Sequence, residues 1–173
     1  MDFLEKNLED IIFESDKESL RKRGLWCYGK FKRQLKIGNY GIADLVLFEK
    51  SFTESFYVDG TIKPFLNITI FELKREKIGI SAFLQSISYA KGIQDYLDKY
   101  KPYIEYTINI KLIGNSIDTT GSFCYITSLF SFYNEDIVHN SCISNINFYT
   151  YEYKLDGIYF KEADNYNLID KGF

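Results

Sequence analysis

Histidine, cysteine and proline are scarce in this sequence, and each shortage argues against a class of protein. His139 is the single histidine, so a metal site or a catalytic triad built on histidine is disfavoured. The three cysteines, Cys27, Cys124 and Cys142, are odd in number and far apart, so they form neither a CxxC metal pair nor an even disulfide set. We expect free thiols in a reducing compartment. Two prolines and eleven glycines give no sign of a collagen-like or low-complexity chain.

Long apolar runs and targeting signals are also lacking. No apolar stretch reaches the roughly 18 residues that a membrane-spanning helix requires. The first residues, MDFLEKNLED, are acidic and amphipathic, without the basic and apolar regions of a signal peptide. We therefore expect a soluble, cytoplasmic protein that has no membrane partner.

Charge is distributed unevenly along the chain. The net charge of −3 argues against a general nucleic-acid coat protein. Residues 17–36 nevertheless hold a run of basic side chains against one acid, Glu18. The basic residues are Lys17, Arg21, Lys22, Arg23, Lys30, Lys32, Arg33 and Lys36. Acids dominate from Glu135 onward. A locally basic face on an acidic protein indicates either a binding site for a polyanion or a solvated helix end and strand edge.

Aromatic residues and hydrophobic periodicity predict the fold class. Fifteen Tyr and fifteen Phe favour a sheet-rich fold, because aromatic side chains pack well on pleated surfaces. A length of 173 residues is most simply one domain, residues 1–173. Apolar residues at helical spacing predict one helix over residues 2–22 and another over 80–99, which Lys101-Pro102 ends.

Strands are predicted between and after these helices. Partial alternation predicts a strand over residues 25–37, which the turn at 38–41 would join in a hairpin to a strand over 41–50. Residues 51–64 are a loop or a hairpin extension, closed by Pro64. The continuous apolar run within 65–74 predicts a strand buried on both faces. Further strands are predicted over 104–114 and 121–130, and one or two over 146–160 around Asp156-Gly157.

The resulting order, α-β-β-β-α-β-β-β, predicts a mixed α/β fold with a central sheet flanked by helices. The helix over 80–99 would be a crossover that lets the third and fourth strands lie parallel. We place the core of the domain at about residues 1–130 and a C-terminal β extension at about 131–173.

The third predicted strand, FLNITIFELK, ends in a carboxylate and an amine two residues apart. Glu72 and Lys74 project to one side of the strand and Leu73 to the other. Because unpaired buried charge is costly, each must find a partner or bind something. Asp44 begins the neighbouring apolar strand, so the three charged groups converge if the two strands are adjacent. The alternative is an exposed Glu–Lys pair that contributes little to stability.

Two carboxylates with room for water suit a hard cation such as Mg²⁺. Asp44 and Glu72 are the candidate ligands, and the backbone carbonyl of Leu73 could add another oxygen. Lys74, beside a metal and a phosphate, would orient or deprotonate the attacking water and stabilise the anionic transition state.

This order of residues resembles the PD-(D/E)xK nuclease superfamily. The stretches GIADL at 41–45 and FELK at 71–74 match its two-strand motif. Gln85 and Tyr89, on one face of the next helix, are similar to the QxxxY element of many members. Ala43 stands where the motif has proline, a departure that members often tolerate. The resemblance covers residues 1 to about 115.

The resemblance implies a restriction-endonuclease-like αβββαβ core with a Mg²⁺- or Mn²⁺-dependent endonuclease or exonuclease activity, on DNA more often than on RNA. It also implies an acid in the first helix, for which Glu5 and Glu9 are candidates and Glu9 is preferred. Glu9 would join Asp44 and Glu72 at the metal.

Gln85 and Tyr89 would then position the backbone or Lys74. Members frequently dimerise across duplex DNA, so a homodimer or a larger protein assembly is left open. The alternative function is a catalytically silent nucleic-acid- or protein-binding module on the same fold, within a larger defence or repair assembly.

Three basic residues are candidate contacts to nucleic acid: Arg33, Lys36 and Arg75. For Arg75, a solvated position at the strand end is an equal alternative. Trp26 and Tyr28 lie within the basic run and could stack on bases, although packing in the core is the favoured interpretation for both.

Overall fold

The computed structural model describes residues 5–54, 60–120, 123 and 143–163 of the chain. Its elements follow in the order α1 (Glu5–Glu14), α2 (Lys17–Lys22), β1 (Lys30–Lys36), β2 (Ile42–Glu54), β3 (Ile62–Leu73), β4 (Lys77–Ile78), α3 (Ile80–Tyr100), β5 (Glu105–Gly114), β6 (Ser116–Ile117), β7 (Ile143–Lys154) and β8 (Gly157–Glu162). Six strands form one mixed sheet in the order β1-β2-β3-β5-β7-β8, and β4 pairs with β6 separately. The expected mixed α/β architecture is therefore confirmed.

The N-terminal helix differs from the prediction. A single helix over residues 2–22 is wrong, because the described chain forms α1 and α2 with a break between them at Ser15 and Asp16. Asp16 has extended backbone and its carboxylate accepts hydrogen bonds from the backbone N–H and the hydroxyl of Ser19, at 2.9 and 2.7 Å. This N-cap starts a new helix at Lys17. The predicted strand over 25–37 likewise begins only at Lys30.

The sheet combines two hairpins with a parallel centre. β1, β2 and β3 pair antiparallel in succession, and the β1–β2 hairpin is the one that the turn at 38–41 predicted. Where the structure describes residues 51–64, the hairpin extension is also confirmed: Phe52 pairs with Pro64, which lies inside β3 rather than closing the turn. α3 connects β3 to β5 as the predicted crossover, and these two strands are parallel.

The C-terminal strands complete the sheet. β7 lies parallel to β5 and pairs antiparallel with β8, so the region around Asp156-Gly157 is two strands. The strand predicted over 121–130 lies outside the described residues except at Phe123, which is helical, so the prediction is wrong at that residue. The proposed β extension over 131–173 is described only at 143–163.

Helices cover both faces of the sheet. On one face, buried residues of β3 and β5 pack with Ala82, Phe83, Ala90 and Ile93 of α3. On the other face, Phe71 and Leu73 of β3 and Ile113 of β5 pack with α1 and α2. All six residues from Ile68 to Leu73 are buried, as their continuous apolar pattern predicted. Burial of each large apolar side chain stabilises the fold by about 1.5–3 kcal/mol.

None of the helices in the described part of the chain combines the length and the apolar character needed to cross a membrane.

Candidate functional site

The end of β3 brings together the three charged residues that the sequence singled out. Leu45 lies opposite Phe71 in the antiparallel β2–β3 ladder, and the same register extended by one residue sets Asp44 opposite Glu72. Beyond the end of β3, the backbone N–H of Lys74 donates to the carbonyl of Ile113 at 2.8 Å. This hydrogen bond keeps the chain in line with β5 past Glu72.

Direct contacts tie these groups to one another. The Lys74 ammonium lies 2.8 Å from Glu72 Oε1, and the backbone N–H of Leu73 donates to Asp44 Oδ2 at 3.1 Å. Leu73 itself is buried on the opposite face of the sheet, with 1% of its surface exposed. The expected arrangement, with Glu72 and Lys74 on one side and Leu73 anchored on the other, is confirmed.

Glu72 has an oxygen that no group among the described residues satisfies. Its side chain is 3% exposed, and Oε2 is buried without a hydrogen-bond partner in the described part of the chain. A buried carboxylate oxygen normally has a partner, because leaving it without one costs about 1–3 kcal/mol or more. A cation or a proton on this oxygen would remove that cost.

The proximity of the carboxylates changes how they titrate. The pKa of Glu72 is raised to about 7, mainly by burial, with the Lys74 hydrogen bond opposing the rise and the charge of Asp44 adding to it. Burial also raises the pKa of Asp44, against the Leu73 N–H and the Lys74 charge. Burial lowers the pKa of Lys74, but the hydrogen bond to Glu72 and the surrounding acids outweigh it and raise the pKa overall. Lys74 is therefore an ammonium at neutral pH.

α1 brings two acids towards this cluster. Glu9 is buried and accepts hydrogen bonds from Arg33 Nε and Gln34 Nε2, at 2.5 and 2.8 Å. Glu5 is exposed and accepts from the backbone N–H of Arg75 at 3.3 Å. Their charges both raise the pKa of Asp44, so both carboxylates lie near the cluster. The charge of Glu5 acts on Asp44, Glu72 and Lys74, whereas that of Glu9 acts on Asp44. The choice of Glu9 as the helix acid therefore stays a prediction, and Glu9 has cationic and amide partners that the sequence did not reveal.

Tyr89 approaches the cluster closely, whereas Gln85 does not make a contact there. Tyr89 is 6% exposed, and the charges of Glu72 and Asp44, after burial, raise its pKa. Its ring packs on Gly41, where the Cβ of any other residue would lie 2.8 Å from Tyr89 Cε1. The φ of Gly41 is 121°, which also favours glycine at this position. Gln85 is exposed on α3 and forms no hydrogen bond with the described residues, so its role stays a prediction.

The predicted nucleic-acid contacts divide into two groups. Arg33 is engaged with Glu9 and, through Nη2, with Asp10 at 2.5 Å. Lys36 and Arg75 are exposed, at the end of β1 and directly after Lys74. The carbonyl of Arg75 accepts a hydrogen bond from Tyr151 of β7, a contact between residues too far apart in sequence to be predicted.

Trp26 and Tyr28 are not core residues. They are 53% and 54% exposed, so the favoured prediction of core packing is wrong. They lie before β1, in a segment that we predicted as a strand but that does not pair with the sheet. Their exposure leaves them available for stacking.

Metal binding would require few ligands from the protein. Among the described residues, no three His, Cys, Asp or Glu side chains are grouped closely enough to hold an ion. Mg²⁺ commonly uses one or two carboxylates together with waters and substrate oxygens. The hard oxygens of Asp44 and the unsatisfied Oε2 of Glu72 fit that mode of binding.

Comparisons with protein families, with curated proteins and with solved structures found no match to this chain.

Proposed function

We propose that this chain is a Mg²⁺- or Mn²⁺-dependent nuclease with a restriction-endonuclease-like core, acting on phosphodiester bonds of DNA in preference to RNA. The observation that carries the proposal is the buried, unsatisfied Oε2 of Glu72 beside Asp44 and Lys74. An acid with one satisfied and one orphaned oxygen, next to a second acid and an ammonium, is better explained by a ligand than by stability.

The topology supports this proposal. The acids lie where β3 ends, next to the parallel strand β5, and ligands of open α/β sheets bind outside the carboxyl ends of parallel strands. The element order through β5 contains the α-β-β-β-α-β series of the proposed core.

The basic edge of the sheet supports a polyanionic substrate. β1 is an edge strand, and Lys30, Lys32 and Lys36 are exposed along it. Lys36 pairs with Ile42, two residues before Asp44. A backbone of phosphates following β1 would therefore reach the carboxylates while its charge is neutralised.

Asp44 and Glu72 would hold the cation, with Glu9 nearby. When bound, the cation would polarise the phosphoryl oxygen and lower the pKa of a coordinated water. The Lys74 ammonium, positioned by Glu72, would hold the attacking water and stabilise negative charge on the phosphate. In hydrolysis the water oxygen bonds to phosphorus and the bridging P–O bond breaks. The water releases a proton to solvent, and the leaving oxygen acquires one.

A catalytically silent binding module on the same fold is the second candidate. The direct contact of Lys74 with Glu72 and the pairing of Glu9 with Arg33 favour it, because these contacts neutralise the acids without an ion. Such a module would bind nucleic acid or a protein partner through the exposed lysines of β1.

A cleavage panel separates the two candidates. Plasmid, linear duplex, single-stranded and branched DNA, and RNA, are each incubated with the protein in Mg²⁺, in Mn²⁺ and in EDTA. We expect cleavage of at least one DNA substrate with metal, lost in EDTA and in Glu72→Gln. Binding without cleavage of any substrate would favour the silent module. Equal cleavage by Glu72→Gln would refute the assigned site.

A further inference from the structure

The face of the sheet opposite Glu72 becomes polar away from α1 and α2. On the α3 side, β3 and β5 present Ile68, Ile70, Ile108 and Ile110, all fully buried. On the other side the same strands and β7 present polar residues where apolar ones would extend the core. These are Asn67, Thr69, Asn109, Lys111, Asn145 and Asn147. Central strands of a two-sided core are normally apolar throughout, so this polar stretch requires an explanation.

These residues line a pocket of about 250 Å³. Its wall is the polar surface of β3, β5 and β7, and Trp26 and Tyr28 also line it. The volume lies below the range typical of drug-sized ligands. It fits a molecule about as large as a nucleoside.

Hydrogen bonds between strands hold the asparagine amides in place. Asn67 Nδ2 donates to Glu49 Oε2 at 3.2 Å, and Asn67 Oδ1 accepts from Asn109 Nδ2 at 2.6 Å. Asn147 Nδ2 donates to Glu162 at 2.5 Å. The amides are thus oriented by the protein rather than free to rotate, and the amide atoms that these bonds leave unused are held in a fixed geometry.

Thr69 provides a buried polar group in this wall. It is 8% exposed, and its side chain makes no hydrogen bond with the residues that the structure describes. Since Thr69 lines the pocket, its hydroxyl is open to a hydrogen bond from a ligand there. The charged groups Glu49 and Lys111 balance each other there, which favours an uncharged ligand.

The two aromatic rings provide flat apolar surfaces. The centroids of Trp26 and Tyr28 lie 6.4 Å apart, with ring planes at 43°. The Lys111 ammonium donates to the backbone carbonyl of Trp26 at 2.6 Å, which ties this segment to the sheet. Exposed aromatic rings held next to oriented amides suit stacking on a planar heterocycle whose edge forms hydrogen bonds.

We propose that this pocket binds a nucleobase, presented by a free nucleoside or by an unpaired nucleotide. Asparagine pairs its amide with the donor and acceptor of a base edge, and stacking on Trp26 and Tyr28 supplies the affinity. The site lies on the face of the sheet opposite Glu72, so it does not depend on the proposed nuclease activity.

Trp26 is the only tryptophan of the chain, so its fluorescence reports on this pocket directly. Four nucleosides, four short single-stranded oligonucleotides and a set of neutral monosaccharides are titrated in EDTA, with free tryptophanamide correcting for absorbance. We expect saturable quenching by at least one nucleoside or oligonucleotide. Nucleosides alone would indicate a free effector, and oligonucleotides alone an unpaired nucleotide of a chain.

Two variants test the contacts. Tyr28→Ala should weaken binding about tenfold, and Thr69→Val about fivefold. Tyr96→Ala is the matched control, because Tyr96 is also 54% exposed but lies on α3, and it should bind as the parent does. Circular dichroism of each variant checks its fold.

Absence of saturable quenching with every nucleoside and oligonucleotide would overturn the proposal. Saturation by a monosaccharide instead, or unchanged affinity in both Tyr28→Ala and Thr69→Val, would overturn it equally. Lys74→Ala should bind nucleoside as the parent does. Loss of nucleobase binding and loss of nuclease activity are therefore separate results.

Discussion

Two glutamate–lysine pairs, each with a buried glutamate, lie at opposite ends of β3, and they differ in what surrounds them. At one end Lys74 lies 2.8 Å from Glu72, whose side chain is 3% exposed. At the other end Lys63 lies 3.7 Å from Glu105 of β5, whose side chain is 7% exposed. Burial and pairing are thus similar. The difference is that Glu72 also has a second carboxylate, Asp44, and an orphaned oxygen.

This difference shows that a buried ion pair alone is weak evidence for function. A pair such as Glu105 with Lys63 can be structural, since each charge compensates the other. Function is indicated when the arrangement leaves a cost that the paired lysine does not remove, as at Glu72 Oε2. If this distinction holds, changes at Glu72 and Lys74 should affect function, and changes at Glu105 and Lys63 should affect only stability.

The largest expected difference is in catalysis. Lys74→Ala should lower the cleavage rate in Mg²⁺ by about 10²–10⁴-fold, because it removes the donor that stabilises charge on the phosphate. Lys63→Ala should change the rate by less than about twofold. Rates are measured on the best substrate of the cleavage panel, with thermal melting of each variant as the control for folding. Similar losses in both variants would mean that the two ends of β3 are not functionally distinct.

The second difference is in the pH dependence of stability. The pKa of Glu72 is raised from 4.5 to about 7 in the fold, so the folded state binds more protons between these values. The contribution of Glu72 to the free energy of unfolding should therefore be highest below about pH 4.5 and fall as pH rises through about 7, by about 3 kcal/mol at most.

Urea unfolding in EDTA across this range measures the effect. Glu72→Gln should remove most of the pH dependence that Glu72 contributes, whereas Glu105→Gln should retain it, because Glu72 is intact in that variant. A stability that rises with pH in the parent, and does so equally in both variants, would contradict the raised pKa of Glu72.

A smaller difference is expected in metal-dependent stabilisation. At about 100 times its dissociation constant, a cation that binds only the folded state adds about 2.7 kcal/mol, or roughly 5–10 °C in Tm for a chain of this size. We expect this shift with Mn²⁺ in the parent and in Glu105→Gln. Asp44→Ala should lose it. Calorimetric melting with Mn²⁺ and with EDTA measures the Tm shift of each protein. An equal shift in Asp44→Ala would mean that the ion binds at another site.

The smallest difference concerns the strength of the pairs themselves. A double-mutant cycle on Glu72 and Lys74 should give a coupling free energy of about 1–2 kcal/mol, because their charged hydrogen bond is short. The longer contact between Lys63 and Glu105 should give less than about 1 kcal/mol. Urea unfolding at pH 8 provides both values. A stronger coupling at Lys63 would show that contact distance does not rank these pairs.

Prediction from sequence succeeded where the signal was local. The apolar periodicity of 80–99 identified α3 nearly to its ends, and the apolar run before Glu72 identified a buried strand. Prediction failed where two local signals in the same segment pointed to different structures. Residues 2–22 have continuous helical spacing, yet the N-cap at Asp16 divides them into two helices. Trp26 was expected in the core because it is aromatic, but its segment lies outside the sheet.

The polar pocket shows the same limit. Asn67, Asn109 and Asn147 are far apart in sequence, and each is unremarkable within its own strand. They become a wall only because parallel pairing places Asn109 beside Thr69 on one strand and beside Asn145 on the other. Their alternation with buried isoleucines was visible in the sequence and is the signal that could have found them.

The sequence by itself determined that Glu72 and Lys74 leave β3 on one side while Leu73 anchors the other, because side chains alternate along any strand. The tertiary structure decided which groups meet them there. The β2–β3 register brings Asp44 next to Glu72, and the packing of α1 brings Glu9 to Arg33. It also decided the burial that raises the pKa of Glu72 to about 7, since exclusion of water depends on the elements that cover a residue rather than on its neighbours in sequence.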